Sequence, residues 1–243
     1  MKALRHLALL AVMLSTWSAA AQDVASAVLT GIAAYNRGDI ATAYRLLKAA
    51  SDAGDSDAQV NLGYLYARGQ GTRADQAEAM RLYLQSAGQG NPEGMNAVGY
   101  KYRYGSGVKI DLPRAVHWFC RAAVSGDPRG LNNLAIMYYE GKGVERDLDE
   151  ARRLWEQAAE RGNPNAMFNL GESYYLEPPL DLPQGVDLLR QSAMGGHGGA
   201  QRFLRQIGNR EPFPPLVNTE LDMRPARKDL RAGKVRDCGF LAS

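Results

Sequence analysis

Few residues of this 243-residue chain could do chemistry, and their spacing excludes most of what they could do. Beyond the first 21 residues there are two histidines, His117 and His197, and the chain has two cysteines, Cys120 and Cys238. His117 sits one residue before Trp118, in an apolar stripe, and His197 lies among four glycines at 195, 196, 198 and 199. No His-Glu-x-x-His, no Cys-x2-Cys and no Gly-x-Ser-x-Gly occurs, so the motifs for metal and nucleophile chemistry are missing. Carboxylates are plentiful but scattered along polar helix faces, and no acid/base pair stands out. A Gly-x-Gly recurs at Gly69 and Gly71, Gly105 and Gly107, Gly141 and Gly143. No strand precedes any copy, so each reads as a helix terminus rather than a phosphate cradle. Arg37-Gly38-Asp39 reads as a turn between helices. No cofactor, no metal and no catalysis are expected.

What must position these residues is a repeat. Residues 58–165 are three consecutive 36-residue copies, opened by Ala58, Gly94 and Gly130, and Ala166 opens a fourth that is two residues shorter. Leu62, Val98, Leu134 and Leu170 hold one fixed place in the four copies. Three or more copies at one period mark a stacked array rather than a single globular core. In the third copy Gly130, Leu134, Ala135 and Tyr138 share one face of a helix expected over about 130–140. A second helix begins near Asp147 or Leu148, with Ala151, Leu154, Trp155, Ala158 and Ala159 as its stripe. The matching stripes are Ala79, Leu82, Tyr83, Ser86 and Ala87, then Ala115, Trp118, Phe119, Ala122 and Ala123. Small residues at Gly63, Gly99, Ala135 and Gly171 point to close approach of the paired helix.

The ends differ. Residues 24–54 read as a shorter helix pair, 24–36 and 40–53, around the turn at 37–39. The fourth copy replaces its glycine turn by Glu177-Pro178-Pro179, and a last helix over about 200–207 caps the array. Residues 1–21 read as a signal peptide: Lys2 and Arg5, an apolar run over 7–14, and Ala19-Ala20-Ala21 before Gln22. Cleavage there removes two cations and no acid, taking the formal charge from +3 to +1, which gives no general case for nucleic acid. No later segment is apolar enough to span a membrane. In an oxidising compartment Cys120 and Cys238 could bond within the chain, remain free, or bridge two chains. The tail from residue 209 is proline-containing and then basic, six Lys/Arg against Asp229 over 224–236. It could be solvated, strap the array, or meet an acidic partner or anionic head groups.

The pattern small-x3-Leu-Gly-x2-Tyr, Gly-x-Gly-Val, Ala-x2-Trp-Tyr-x2-Ala-Ala and Gly-Asn/Asp resembles the Sel-one-like repeat family, a branch of the tetratricopeptide-like solenoids, over about residues 30–200. The resemblance implies an all-α fold, a right-handed α/α superhelical solenoid of about five helix pairs with a capping helix and an irregular tail. Its expected divisions are 1–21 signal peptide, 22–57 atypical helix pair, 58–208 repeats and cap, and 209–243 tail. It further implies an adaptor between proteins, with an envelope protein as the expected partner and a periplasmic or secreted location. An envelope protein that binds or hydrolyses peptidoglycan fragments or β-lactams is the alternative. Against it, relatives linked to β-lactam binding carry a disulfide in every repeat, and this chain does not.

In such a solenoid the first helices line the concave side. The face opposite the buried stripe would carry Asn61, Tyr64 and Arg68 in the first copy, and Asn96, Tyr100, Arg103 and Tyr104 in the second. The third contributes Asn132, Asn133, Tyr139 and Glu140, and the fourth Asn169, Glu172 and Tyr175. Asparagine can pair with a peptide backbone and tyrosine offers a broad amphipathic surface, so the ladder suits an extended peptide or an inserted helix. The competing arrangement packs the tyrosines between neighbouring helices and leaves the asparagines idle. If the groove operates, alanine at Asn133 and Tyr100 weakens partner capture and leaves thermal unfolding nearly unchanged.

Overall fold

The computed structural model describes residues 22–208. Residues 1–21, expected as a signal peptide, and residues 209–243, with Cys238, lie outside the described residues. Eleven helices and no strand make up the described part. α1 covers residues 22–36, followed by α2 (Ile40–Asp52), α3 (Ser56–Arg68), α4 (Gln76–Gly88) and α5 (Pro92–Tyr104). Then come α6 (Leu112–Val124), α7 (Pro128–Glu140), α8 (Leu148–Glu160), α9 (Pro164–Leu176), α10 (Leu182–Met194) and α11 (Gly198–Gly208). The 36-residue period is visible in the starts of α3, α5, α7 and α9, at 56, 92, 128 and 164. The fold is all-α, with consecutive helices packed in succession within two compact units, Met1–Asp111 and Leu112–Ser243.

Local chemistry punctuates the chain. Asp39, Asp55, Asp75 and Asn91 in the first unit cap helices by accepting from backbone N–H groups of the first turn. Asp127, Asp147, Asn163 and Asp181 do so in the second. Pro92, Pro128 and Pro164 stand at the helix start, where their missing N–H costs nothing. α3, α5 and α7 end in left-handed glycines at 69, 105 and 141. Each turn is then closed from the next helix's cap. The N–H groups of Asp75 and Asp111 donate to Tyr66 O and Tyr102 O, and those of Asp147 and Asp181 to Tyr138 O and Tyr174 O, at 2.9–3.0 Å.

Within each unit the stripes bury as the period requires. Leu62, Val98, Leu134 and Leu170 are all 3 % exposed or less, each burial stabilising by about 2 kcal/mol. A Cβ at Gly63 would lie 2.7 Å from the Tyr83 ring, and one at Gly171 would lie 2.8 Å from Gly185 O. The small residues therefore buy close helix approach, as expected. Two stripe positions depart from expectation: Trp118 and Ala159 are only half-buried. Trp118 carries the Arg121 guanidinium over its ring, 4.6 Å from the centroid, with His117 edge-on at 5.8 Å.

The cap helix α11 is longer than the expected 200–207 and starts from a feature the glycine run concealed. His197 Nδ1 accepts from Ala200 N at 3.1 Å, so the imidazole acts as the helix cap, and its ring stacks near Phe168 at 4.6 Å. Burial, then the Arg202 charge, push its pKa below the usual histidine value. The neutral form is favoured on folding, so this stability is present above the unfolded pKa of about 6.5 and is lost as pH falls from there toward the lower folded value. Chemical denaturation between pH 7.5 and 5.5 should show wild type losing more stability than His197→Asn, which caps without titrating. Parallel curves would remove the imidazole from this role.

Candidate functional site

The first-helix faces are described unit by unit. In the first unit α3 and α5 touch each other as well as α4. Tyr64 is 38 % exposed and has the Arg68 guanidinium over its ring at 4.4 Å, with Tyr35 of α1 edge-on at 6.1 Å. Tyr35 reaches the turn after α3 through a 3.2 Å bond from its hydroxyl to Gln70 Oε1. One repeat on, Tyr100 (44 % exposed) and Tyr104 (59 % exposed) stack at 5.9 Å with planes 11° apart. Arg103 lies over Tyr104 at 5.2 Å. These five residues form an outward aromatic and cationic surface, since i, i+3 and i+4 residues share a helix face.

The asparagines of this unit are placed differently from their tyrosine neighbours. Asn61 donates to Asp57 O of its own helix at 2.8 Å, and Asn96 is buried. Lys101, which sequence reasoning did not single out, is buried on the other side of α5 at 7 % exposure. Its Nζ donates to Gln76 Oε1 and faces the Tyr83 ring at 5.8 Å, while burial pulls its pKa down. Gln76 in turn donates to Ala67 O at 2.7 Å. Lys101 thus ties α5 to α4 and the end of α3.

In the second unit the polar ladder is largely internal. Asn169 of α9 donates to Asn132 Oδ1 of α7 at 2.9 Å, and Asn132 and Asn133 are 6 % and 2 % exposed. Tyr139 packs on Trp155 at 5.4 Å, donates to Glu177 Oε1 at 3.1 Å and lies under Arg146 at 5.6 Å. Arg146 also donates to Tyr139 O at 3.0 Å and pairs with Glu177 at 3.4 Å. Burial, then the bond to Glu177, raise the Tyr139 pKa. Tyr175 meets Phe203 of α11 edge-on at 5.4 Å. Glu140 is exposed and pairs with Lys142 at 3.3 Å. Glu172 is half-buried, and burial alone raises its pKa.

This corrects one expectation. Asn133 is a core residue, so alanine there costs stability: a buried polar site loses about 1–3 kcal/mol when its pairing is removed. Asn133→Ala should lower the urea midpoint clearly, whereas Tyr64→Ala, on an exposed face, should shift it little. Equal midpoints for the two variants would contradict the buried assignment.

Among the described residues no group of three or more metal-ligating side chains converges, and no helix is long and apolar enough to cross a membrane. Cys120 is buried at 3 % exposure in α6, and its suggested pairing with Cys238 falls outside the described residues.

Comparison with known proteins agrees with the helix-pair fold. The Sel1 repeat model matches five consecutive segments, residues 18–55, 56–91, 92–127, 128–163 and 164–197. No curated protein matches the chain. Among solved structures, a Sel1 repeat protein from Oxalobacter formigenes is 29 % identical with a TM-score of 0.70, over 76 % of this chain and 78 % of that one. The protective antigen c5321 of uropathogenic Escherichia coli, which displays the same repeat fold, is 30 % identical with a TM-score of 0.63. The match covers 80 % of this chain but only 43 % of the antigen. The immunity protein Pa5087 from Pseudomonas aeruginosa is 25 % identical with a TM-score of 0.54, over 70 % of this chain and 64 % of that one. With five matched repeats covering most of its length, the chain belongs to the Sel1 repeat family, whose members serve in general as scaffolds for protein–protein interaction.

Proposed function

We propose that this chain is an exported, non-catalytic scaffold that captures an extended peptide or a helix of a protein partner on its first-helix faces. The observation that carries the reading is the exposure of Tyr64, Tyr100 and Tyr104 on α3 and α5, at 38 %, 44 % and 59 %. Tyrosine at such sites supplies broad contact area at small entropic cost. In this reading Asn61 borders the contact, while the buried Asn96 belongs to the helix that presents it. Crosslinking of the mature protein to envelope extract, followed by mass spectrometry, should join a partner to peptides containing Tyr64 or Tyr100. Crosslinks confined to the second helices α4, α6 and α8 would sink it.

Export belongs to the same reading. The leader's cationic start, apolar run and Ala-x-Ala site support periplasmic or secreted delivery, with the mature chain starting at Gln22. An oxidising destination favours a Cys120–Cys238 bond, which would fasten the tail to α6. Peptide mapping without reductant should recover the two cysteines in one linked pair. Recovery of Cys120 as an alkylated thiol from exported protein would eliminate the tether.

A further inference from the structure

Glu172 is the sole charged residue of α9, and nothing answers its charge. It is half-buried, burial alone raises its pKa, and it makes no hydrogen bond or ion pair with any described residue. Glu156 of α8 shows the usual remedy: also half-buried, it accepts from the Tyr174 hydroxyl at 2.8 Å and has Arg152 and Arg153 nearby. Stepped by the repeat, one register position of the first helices holds Tyr64, Tyr100, Ile136 and Glu172, so the carboxylate stands on a face that is otherwise apolar. Phe168 and Asn169 lie one turn earlier on that side of α9, and Tyr175 and Leu176 one turn later. Leu176 is 54 % exposed. Toward α7, Asn169 meets Asn132, and Glu172 acts after burial and Glu177 in raising the Tyr139 pKa. Toward α11, Phe168 and Tyr175 both meet Phe203 edge-on, at 6.5 and 5.4 Å. The cations of α11 do not serve Glu172: Arg202 acts on His197, and Arg205 donates to Gln201 O at 3.2 Å.

We propose that Glu172 and Leu176 form a docking site for the chain's own basic segment, residues 224–236, with a Lys or Arg side chain pairing with the carboxylate and an apolar neighbour covering Leu176. The segment has the matching chemistry: six Lys/Arg against Asp229, with Leu230 and Val235 among them. A carboxylate that is half withdrawn from water gains more from a cation than a surface one does, because salt and solvent screen the pair less. The segment can also reach. α11 ends at Gly208, five residues after the Phe203 that touches Tyr175. Residues 209–223 then supply up to about 50 Å of extended chain, against about 20 Å for the whole length of α9. Being joined to the same chain, the segment is present at a high effective concentration that a separate partner lacks. The site lies within the second unit and stands whether or not the tyrosine face of the first unit takes a partner.

The test uses the whole mature chain. Zero-length carbodiimide crosslinking of mixed isotope-labelled and unlabelled protein, read by mass spectrometry, should join Glu172 to Lys228 or Lys234 within one molecule. Cys238→Ser should retain that crosslink, since the carboxylate and not a disulfide places the segment. Limited trypsin digestion gives a second readout free of crosslinking chemistry. Glu172→Gln should speed cleavage after Lys228 and Arg231 several-fold, the effect of losing one ion pair. Glu160→Gln, at the exposed end of α8, should leave the rate unchanged, and both variants should keep wild-type helicity. Crosslinks from these lysines to the exposed Glu160 and Asp187 in place of Glu172, or equal tryptic rates in wild type and Glu172→Gln, would overturn the inference. So would loss of the crosslink in Cys238→Ser, which would assign the placement to the tether. Crosslinks found solely between labelled and unlabelled molecules would overturn it in favour of a second copy. None of these outcomes bears on Tyr64, Tyr100 or Tyr104, so the scaffold reading keeps its own separate test.

Discussion

Replacing Arg152 with alanine is expected to lower the unfolding free energy by about 3 kcal/mol or more, because several buried hydrogen bonds from one charged donor, each worth about 1.5–3 kcal/mol, are lost together. Arg152 lies in α8 at 6 % exposure. Its Nη2 donates to Ser173 O and to Glu177 O, both at 2.7 Å, its Nε to Ser173 Oγ at 3.2 Å and its Nη1 to Pro179 O at 3.4 Å. The same guanidinium covers the Tyr174 ring at 4.6 Å. It therefore holds the Glu177-Pro178-Pro179 turn that stands where the other repeats have Gly-x-Gly. Alanine would take the charged donor away from three backbone carbonyls, those of Ser173, Glu177 and Pro179. Arg152→Met, which keeps most of the volume, should recover little, because packing is not what is lost. Urea unfolding reads the overall cost. Hydrogen exchange should localise it, with the amides of Glu177 and Asp181, bonded to Ser173 O and Tyr174 O, losing protection first. If Arg152→Met proves as stable as wild type, the network is not what fixes the turn.

Much of this fold could be read without coordinates, because the repeat carries its own punctuation. The caps at Asp147 and Asn163, the proline at 164 and the αL glycine at 141 each act within one turn of chain, so their effects are visible in local sequence. The 36-residue spacing then copied one correct hairpin along the chain. The polar faces were harder, and the reason is geometric. A helical wheel with a single buried stripe assumes one neighbour. A first helix here has two kinds, the second helices on one side and the first helix of the next repeat on another, as α3 shows by touching both α4 and α5. That second contact is why Asn132 meets Asn169 instead of solvent. Tyr139 was equally hidden, since Arg146 and Glu177 act on it from different turns and only folding brings them together. Arg152 and Lys101 look like ordinary surface cations in sequence. They bury because acceptors 21 to 27 residues away in one case, and 25 in the other, happen to lie across a helix interface. The exposed tyrosines Tyr64, Tyr100 and Tyr104 were the part of the ladder that the pattern placed on an open face.

The second large effect concerns how one repeat sits on the last, and it follows from the other glycine of each Gly-x-Gly. A Cβ on Gly71 would lie 3.2 Å from Ile40 Cγ2, one on Gly107 would lie 2.4 Å from Gln76 Cβ, and one on Gly143 would lie 2.5 Å from the Leu112 carbonyl. Ile40, Gln76 and Leu112 are the first residues of α2, α4 and α6, the second helix of the preceding repeat in every case. So this glycine spaces successive hairpins, and in the last repeat the Arg152 contact to Pro179 does that work from α8 instead. Gly143→Ala should cost about 3 kcal/mol: about 1–2 from the left-handed φ of 74°, and the rest from a clash with backbone that cannot swing aside. Gly126→Ala is the control, because its φ of 84° is equally unsuited to alanine yet a Cβ there meets nothing within 4 Å. It should cost only that conformational share, about 1–2 kcal/mol. The two variants differ, then, by the stacking contact alone, and urea midpoints measured side by side read that difference. Matching midpoints would mean that Gly143 serves its own turn only and that the hairpins are spaced by their side-chain stripes.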